Sequence, residues 1–146
     1  MAAASFDALA VGDTLPPLQL PPITRTTLAL FAGASGDHNP IHIDIDVARK
    51  AGMADVFAQG MLSAAYLGRL LTDWVPQQCI RQVNLRFTGI THLGHQLTCT
   101  GRVAEKLEQG GERLVRVEIA TTTQHGDKKI IGDALLALDS QDGNKA

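Results

Sequence analysis

The sequence predicts an α+β fold in which a twisted antiparallel β-sheet wraps around a long, apolar central helix. The stretch from Met61 to Val75 is apolar on nearly every side, and such a helix is buried on most of its faces. After Pro76 the apolar residues recur at every second position, which is typical of half-buried antiparallel strands. A sheet wrapped around the helix buries all of these faces at once.

Only short elements are expected before the central helix. Four prolines between residues 5 and 22 limit that segment to a short edge strand. Thr24 or Thr26 is expected to cap a first helix. Asp46 is expected to cap a second, short helix that ends at Gly52.

Four long strands are predicted after the central helix. They contain the alternating segments Val83–Phe87, Leu97–Val103 and Val115–Ile119, and an apolar run from Ile130 to Leu138. Gly110-Gly111 and His125-Gly126-Asp127 supply hairpin turns. Because no repeat or linker divides the chain, we expect one domain over residues 1–146, with its core at about 8–139 and a polar tail at 141–146.

Composition and charge exclude several classes of function. The net charge is −2 and there is no basic run, so the sequence lacks the basic patch that is typical of nucleic-acid binding. No apolar run reaches the roughly eighteen residues of a membrane span, and the first residues lack the features of a secretory signal. Cys79 and Cys99 lack CxxC spacing and are expected to be buried thiols in a reducing compartment. We therefore expect a soluble, cytoplasmic protein.

The densest group of chemically active side chains is the segment Ser35-Gly-Asp-His-Asn-Pro-Ile-His42. Pro40 restricts Asn39 to extended conformations, which prevents a helix from running through the segment. Asp37 and His42 are therefore expected on a stiff loop, where they can turn toward one water molecule and exchange protons with it. The alternative is an ordinary turn, in which Asp37 caps a short helix.

Three segments carry a resemblance to a known family. The segment Ser35–His42, followed by Gly60-Met61-Leu62, resembles the MaoC-like (R)-specific enoyl-CoA hydratases. The segment Val83–Thr88 is similar to a strand of the single-domain β-hydroxyacyl dehydratases of that family. The resemblance covers about residues 8–139 and implies the hot-dog fold. It also implies a hydro-lyase that hydrates trans-2-enoyl thioesters reversibly to (3R)-hydroxyacyl thioesters.

The resemblance further implies which residues form the catalytic site. The catalytic Asp and His of the family match Asp37 and His42, which would act together on a bound water. The backbone N–H of Gly60 would face the thioester oxygen, on which negative charge develops during the reaction. Asn39 is expected to hold the loop or the Asp37 side chain in place.

Three residues at the start of the helix, Gln59, Met61 and Ser63, are expected to bind substrate or orient the loop. Met61 is also expected to contribute to packing. Many family members have His where this chain has Gln59, and a glutamine side chain cannot titrate. Some members have Ser where this chain has Gly68. These two departures leave the substrate open, including the acyl chain length and the choice between coenzyme A and acyl-carrier protein.

The implied reaction needs no metal and no separate cofactor, because coenzyme A is part of the substrate. The histidines lack the spacing of metal ligands. Arg81, Arg86 and Arg102 are candidates to bind the phosphates of coenzyme A, although exposed arginines on a sheet are usually solvated. The expected protein partner is a second copy of the chain, or a related subunit, joined through an open sheet edge.

Two other functions remain open from the sequence. A hot-dog acyl-CoA thioesterase would use its carboxylate to direct water at the thioester carbon. A non-catalytic acyl-binding subunit of a heterodimeric dehydratase would need neither Asp37 nor His42, and the presence of both residues favours the hydratase.

Overall fold

The computed structural model of the protein describes residues 4–138. The elements are β1 (Leu18–Gln19), α1 (Arg25–Ser35), α2 (Ile45–Lys50), α3 (Gly60–Trp74), β2 (Ile80–Phe87), β3 (Leu97–Gln109), β4 (Glu112–Thr123) and β5 (Lys128–Ala137). Two 3₁₀ turns, Pro40–His42 and Gln77–Cys79, precede α2 and β2. The polar tail predicted at 141–146 lies outside the described residues.

The five strands form one antiparallel sheet in the order β1-β3-β4-β5-β2. The hairpin between β3 and β4 closes through Gly110 and Gly111, whose φ angles of 60° and 80° suit glycine. The predicted four long strands and one short edge strand are confirmed. Because β1 has only two residues, the eight-residue strand β2 is the long open edge of the sheet.

Helix α3 packs its apolar surface against β3, β4 and β5. Leu67 and Leu71 of the helix are fully buried, as are Val103, Val115 and Val117 of the sheet. Truncating a buried leucine of this kind to alanine typically costs about 2–5 kcal/mol. A sheet packed around one apolar helix is the predicted α+β arrangement, and this architecture is the hot-dog fold.

The sequence predicts the N-terminal cap of α1 correctly but not that of α2. Thr24 caps α1, because its hydroxyl accepts the Thr27 N–H at 3.2 Å. The prediction that Asp46 caps α2 is wrong. Asp44 is the cap, and its carboxylate accepts the N–H groups of Asp46 and Val47 at 2.9 and 3.4 Å. Asp46 lies in the first turn, where a carboxylate is also favoured by the helix dipole.

Two further properties of the described residues bear on the sequence expectations. Cys99 is buried and Cys79 half-buried, and both are free thiols. Within residues 4–138, no helix has the length and apolar character that crossing a membrane requires.

Candidate active site

Three side-chain-to-backbone hydrogen bonds fix the loop between α1 and α2. The Ser35 hydroxyl accepts the Asp37 N–H at 3.2 Å, and one Asp37 carboxylate oxygen accepts the Asn39 N–H at 3.3 Å. The Asn39 side-chain oxygen accepts the Ile41 N–H at 3.2 Å and caps the 3₁₀ turn Pro40–His42. Short polar side chains that bond the backbone two residues ahead are a common way to stabilise turns. The loop therefore presents His42 from a defined backbone.

The orientation of the His42 ring is set by a backbone carbonyl. Its Nδ1 lies 2.7 Å from the carbonyl oxygen of Phe57, and its ring meets the Phe57 ring edge to face with centroids 4.9 Å apart. Because a carbonyl oxygen can only accept, Nδ1 carries the proton in this bond. In the neutral ring the lone pair is then on Nε2, which can accept a proton from a bound molecule.

His42 lines a cleft of about 380 Å³ between the start of α3 and the ends of β2 and β5. We call it the cleft; its other lining residues are Phe57, Ala58, Gly60, Ser63, Phe87, Gly89, Ile90, Thr91, Lys129 and Ile130. Most of these are apolar. The Ser63 hydroxyl is buried and lies 3.5 Å from the Thr91 hydroxyl. An apolar cleft with a few polar groups is typical of a small-molecule site.

Gly60 opens α3 and lines the cleft beside Phe87. Its N–H is in the first helical turn, which offers no intrahelical acceptor and carries the positive end of the helix dipole. Its φ angle is not positive, so the backbone does not require glycine here. A Cβ at this position would lie 3.1 Å from Cε1 of Phe87. Glycine therefore keeps space open between the helix terminus and the Phe87 ring.

Asp37 lies half-buried on the same loop as His42 but does not line the cleft. In the part of the chain that the structure describes, its second carboxylate oxygen makes no hydrogen bond, and no direct contact joins it to the His42 ring. The structure thus places the two residues on one fixed loop as separate groups.

The remaining sequence candidates lie at or near the start of α3. Gln59 is fully buried behind the cleft, where its Nε2 donates to the Leu28 carbonyl at 3.0 Å and ties α1 to α3. Its side-chain oxygen has no hydrogen-bond partner among residues 4–138. Met61 is 59% exposed and outside the cleft lining, so the expected packing role is wrong. The cleft itself brings together His42, Gly60 and Ser63.

Sequence reasoning missed Lys129, which lines the cleft. The arginines considered for coenzyme A phosphates lie elsewhere. Arg81 binds the Glu112 carboxylate and the Gln78 carbonyl, whereas Arg86 and Arg102 line a separate groove of about 780 Å³. Lys129 directly precedes the apolar run that begins at Ile130. Because that run does not alternate between polar and apolar residues, the sequence does not indicate on which face of the strand Lys129 lies.

The family model of the MaoC-like domain matches residues 10–125. The chain belongs to the MaoC-like domain family. The match contains all three segments that suggested the resemblance, Ser35–His42, Gly60-Met61-Leu62 and Val83–Thr88.

Two curated relatives of this MaoC-like protein have names that describe the addition or removal of water. The mitochondrial 3-hydroxyacyl-[acyl-carrier-protein] dehydratase of Arabidopsis thaliana is 25% identical over 140 residues, covering 95% of the chain and 83% of the relative. The (R)-specific enoyl-CoA hydratase of Rhodospirillum rubrum is 34% identical over 90 residues, covering 58% of the chain and 62% of the relative.

Solved structures support the same family. R-hydratase PhaJ1 from Pseudomonas aeruginosa superposes with a TM-score of 0.79 at 29% identity, covering 93% of the chain and 86% of that protein. The ChsH1–ChsH2 complex from Mycobacterium tuberculosis contains a chain with a TM-score of 0.75 at 25% identity, covering 88% of this chain and 98% of that one. The fold is therefore shared along nearly the whole described chain.

Proposed function

We propose that this MaoC-like protein hydrates trans-2-enoyl thioesters reversibly, giving (3R)-hydroxyacyl thioesters. One observation carries the proposal: His42, whose Nε2 can accept a proton, and Gly60, whose N–H is at the helix terminus, line one apolar cleft. The names of the two curated relatives, a dehydratase and a hydratase, support the same chemistry in its two directions.

The proposed reaction needs an acid–base pair and an anion-stabilising donor. The reaction requires the Asp37 carboxylate, which lies outside the cleft lining, to reach the same water as His42. That water adds its hydroxyl to the β-carbon, and the α-carbon receives a proton from the same side. Proton transfer by positioned side chains contributes about 10²–10⁴-fold to the rate. The thioester oxygen gains negative charge in the enolate-like transition state, and the Gly60 N–H at the positive end of α3 stabilises that charge.

The remaining candidate residues have supporting roles in this proposal. Asn39 keeps the loop and the Asp37 carboxylate in place through the two bonds described above. Gln59 holds the start of α3 against α1, and Ser63 contributes a hydroxyl to the wall of the cleft. Coenzyme A or a carrier protein enters only as part of the substrate, and the chemistry uses side chains and one backbone amide.

A second copy of the chain is the partner we propose for the open edge of the sheet. Strand β2 leaves Val83 and Phe87 of that edge 41% and 50% exposed. Pairing two such edges hides unpaired backbone groups and apolar side chains together. Because Phe87 also lines the cleft, the partner would lie next to the site. A different MaoC-like subunit could fill the same place, and the two-component name of the ChsH1–ChsH2 complex supports testing that arrangement.

Incubation of the purified protein with crotonyl-CoA tests the proposal. We expect the enoyl absorbance to fall without release of free thiol, and chiral analysis to identify the product as the (3R)-hydroxyacyl thioester. Release of free thiol would instead identify a thioesterase. No change in either signal would contradict the proposal and would favour a non-catalytic acyl-binding subunit instead.

A further inference from the structure

Lys129 is a cationic side chain in an otherwise mostly apolar cleft, and it lies next to Gly89. A Cβ added to Gly89 would lie 3.3 Å from Cδ and 3.4 Å from Nζ of Lys129. The lysine side chain therefore lies across the backbone of Gly89, and the absence of a side chain at Gly89 leaves room for it. Lys129 is half-buried.

Within residues 4–138, no acidic side chain pairs with this ammonium group. Across residues 4–138, the Lys129 Nζ makes no hydrogen bond and no ion pair, and the cleft lining contains neither Asp nor Glu. Partial burial of an unpaired charge is unfavourable, because part of its hydration is lost without compensation. An anionic group on a bound molecule would supply that compensation.

His95 lies close to Lys129, and His92 and His125 lie close to His95. Burial, together with the nearby Lys129, His92 and His125, lowers the pKa of His95, and only Asp127 opposes the shift. Lys128 precedes Lys129 and is exposed on the other side of β5. Lys129 is therefore the lysine at the end of the cleft near the turn between β4 and β5, and Lys128 lies outside the cleft lining.

The polarity of the cleft indicates how a thioester would lie in it. From Gly60, the wall continues past Phe87 and its strand partner Ile130 to Gly89 and Lys129 at the exposed strand ends. In the orientation that this polarity favours, an apolar acyl chain lies along Phe87 and Ile130, and the polar carrier leaves past Lys129.

We propose that Lys129 binds a phosphate group of the thioester carrier and makes this protein selective for phosphorylated pantetheine substrates. The inference rests on the proposed hydratase function, because that function places a carrier in the cleft. The phosphate belongs either to the pantetheine 4′-phosphate, which coenzyme A shares with carrier proteins, or to the nucleotide part of coenzyme A. A charge-assisted hydrogen bond of this kind changes affinity by about tenfold.

Steady-state kinetics on three crotonyl thioesters test the proposal. Crotonyl-CoA carries all the phosphates, crotonyl-4′-phosphopantetheine carries one, and crotonyl-pantetheine carries none. We expect Lys129→Met to lower kcat/KM for crotonyl-CoA by about tenfold, mostly through KM, and Lys129→Arg to restore most of it. For crotonyl-pantetheine all variants should agree within about twofold. A loss on crotonyl-4′-phosphopantetheine assigns the contact to the shared phosphate, and a loss on crotonyl-CoA alone assigns it to the nucleotide.

The matched control is Lys128→Met, which removes the neighbouring exposed lysine. We expect it to change kcat/KM on every substrate by less than about twofold. An equal loss for Lys128→Met and Lys129→Met would mean a general charge effect and would overturn the proposal. Equal losses on crotonyl-CoA and crotonyl-pantetheine, or no loss on crotonyl-CoA, would overturn it as well.

Calorimetric titration with coenzyme A separates this inference from the proposed function. We expect the wild-type protein to bind coenzyme A and Lys129→Met to bind it about tenfold more weakly. If crotonyl-CoA is not hydrated but this difference is measured, the hydratase function fails and the role of Lys129 stands. Equal binding by the two proteins would overturn the role of Lys129, whatever the activity.

Discussion

Strands β2 and β5 line two cavities on their opposite faces, and the two cavities differ in volume and in the charge of their lining. Neighbouring residues divide between them: Phe87 and Lys129 line the cleft, whereas Arg86 and Lys128 line the larger groove, which we call the outer groove. The outer groove has about twice the volume of the cleft, at about 780 against 380 Å³. Size and charge alone would therefore favour the outer groove as the functional site.

The charges of the outer groove are either paired or exposed to solvent, since Arg86 and Lys128, whose charged groups have no partner among the described residues, are both exposed. Arg102 pairs with Glu118 at 3.4 Å, and Asp133 accepts from the Asn84 amide at 2.9 Å. Arg116 pairs with Glu105 at 3.0 Å. In the cleft, by contrast, His42 and Lys129 are half-buried, and Nε2 of His42 and the ammonium of Lys129 have no partner among the described residues. Unsatisfied polar groups in an apolar cavity therefore indicate chemistry better than volume does.

The largest effect is expected from the acid–base residues. Asp37→Asn and His42→Ala should each lower kcat on crotonyl-CoA by about 10²–10⁴-fold, because each removes a group that exchanges protons with the water. The double variant should lose less than the product of the two single losses, since groups that act as a unit are not additive. Circular dichroism checks that the fold is retained. Near-normal hydration by either single variant would contradict the assignment.

The second largest loss of kcat is expected on substitution of Gly60, and two substitutions separate its possible roles. Gly60→Pro removes the N–H but suits the first helical turn, so kcat should fall by about 10²–10³-fold with little loss of fold. Gly60→Ala also adds a Cβ near Phe87 but keeps the N–H, so it should retain most of kcat. If both variants lose kcat in parallel with melting temperature, Gly60 serves only the entry to the helix.

Strand β2 offers a test of the proposed partner. Val83→Glu places a charge on the open edge, where charged side chains prevent edge-to-edge pairing. Light scattering at micromolar concentration should report two chain masses for the wild type and one for the variant. A wild-type protein with a single chain mass would contradict the homodimer, and co-purification with a related subunit would favour the heterodimer.

The smallest effect is expected in the outer groove. Arg102→Met breaks the exposed pair with Glu118, and exposed pairs contribute only about 0–1 kcal/mol to the free energy of unfolding. Denaturant unfolding and kcat should both stay close to the wild-type values. A tenfold loss of kcat, with stability unchanged, would show that the outer groove takes part in the reaction and would reverse the comparison drawn above.

Much of the fold could be predicted because periodicity records which face of an element is buried. The apolar surface of α3 and the alternation of Val115, Val117 and Ile119 required a sheet against a helix. The cap of α2 was misplaced because Asp44 and Asp46 both satisfy the local preference for acidic residues at a helix start. The preference for an acidic residue at a helix start therefore does not distinguish two such residues that lie two positions apart.

The site could be predicted only in part, for a different physical reason. The loop motif located His42, and the helix start located Gly60, because each signal is contained in a few consecutive residues. The position of Lys129 depends on how the end of β5 lies against Gly89, and that of Gln59 on a contact with Leu28 of another helix. Contacts between distant segments leave no local pattern.

The hydrogen bond between His42 and Phe57 has a consequence for how this site can evolve. Its acceptor is a main-chain oxygen, so every amino acid at position 57 supplies the same group. Substitutions there can reshape the wall of the cleft while the tautomer of the imidazole is preserved. Selection for new acyl groups can therefore act on this residue without disturbing proton transfer, and divergent relatives can keep one chemistry while they exchange substrates.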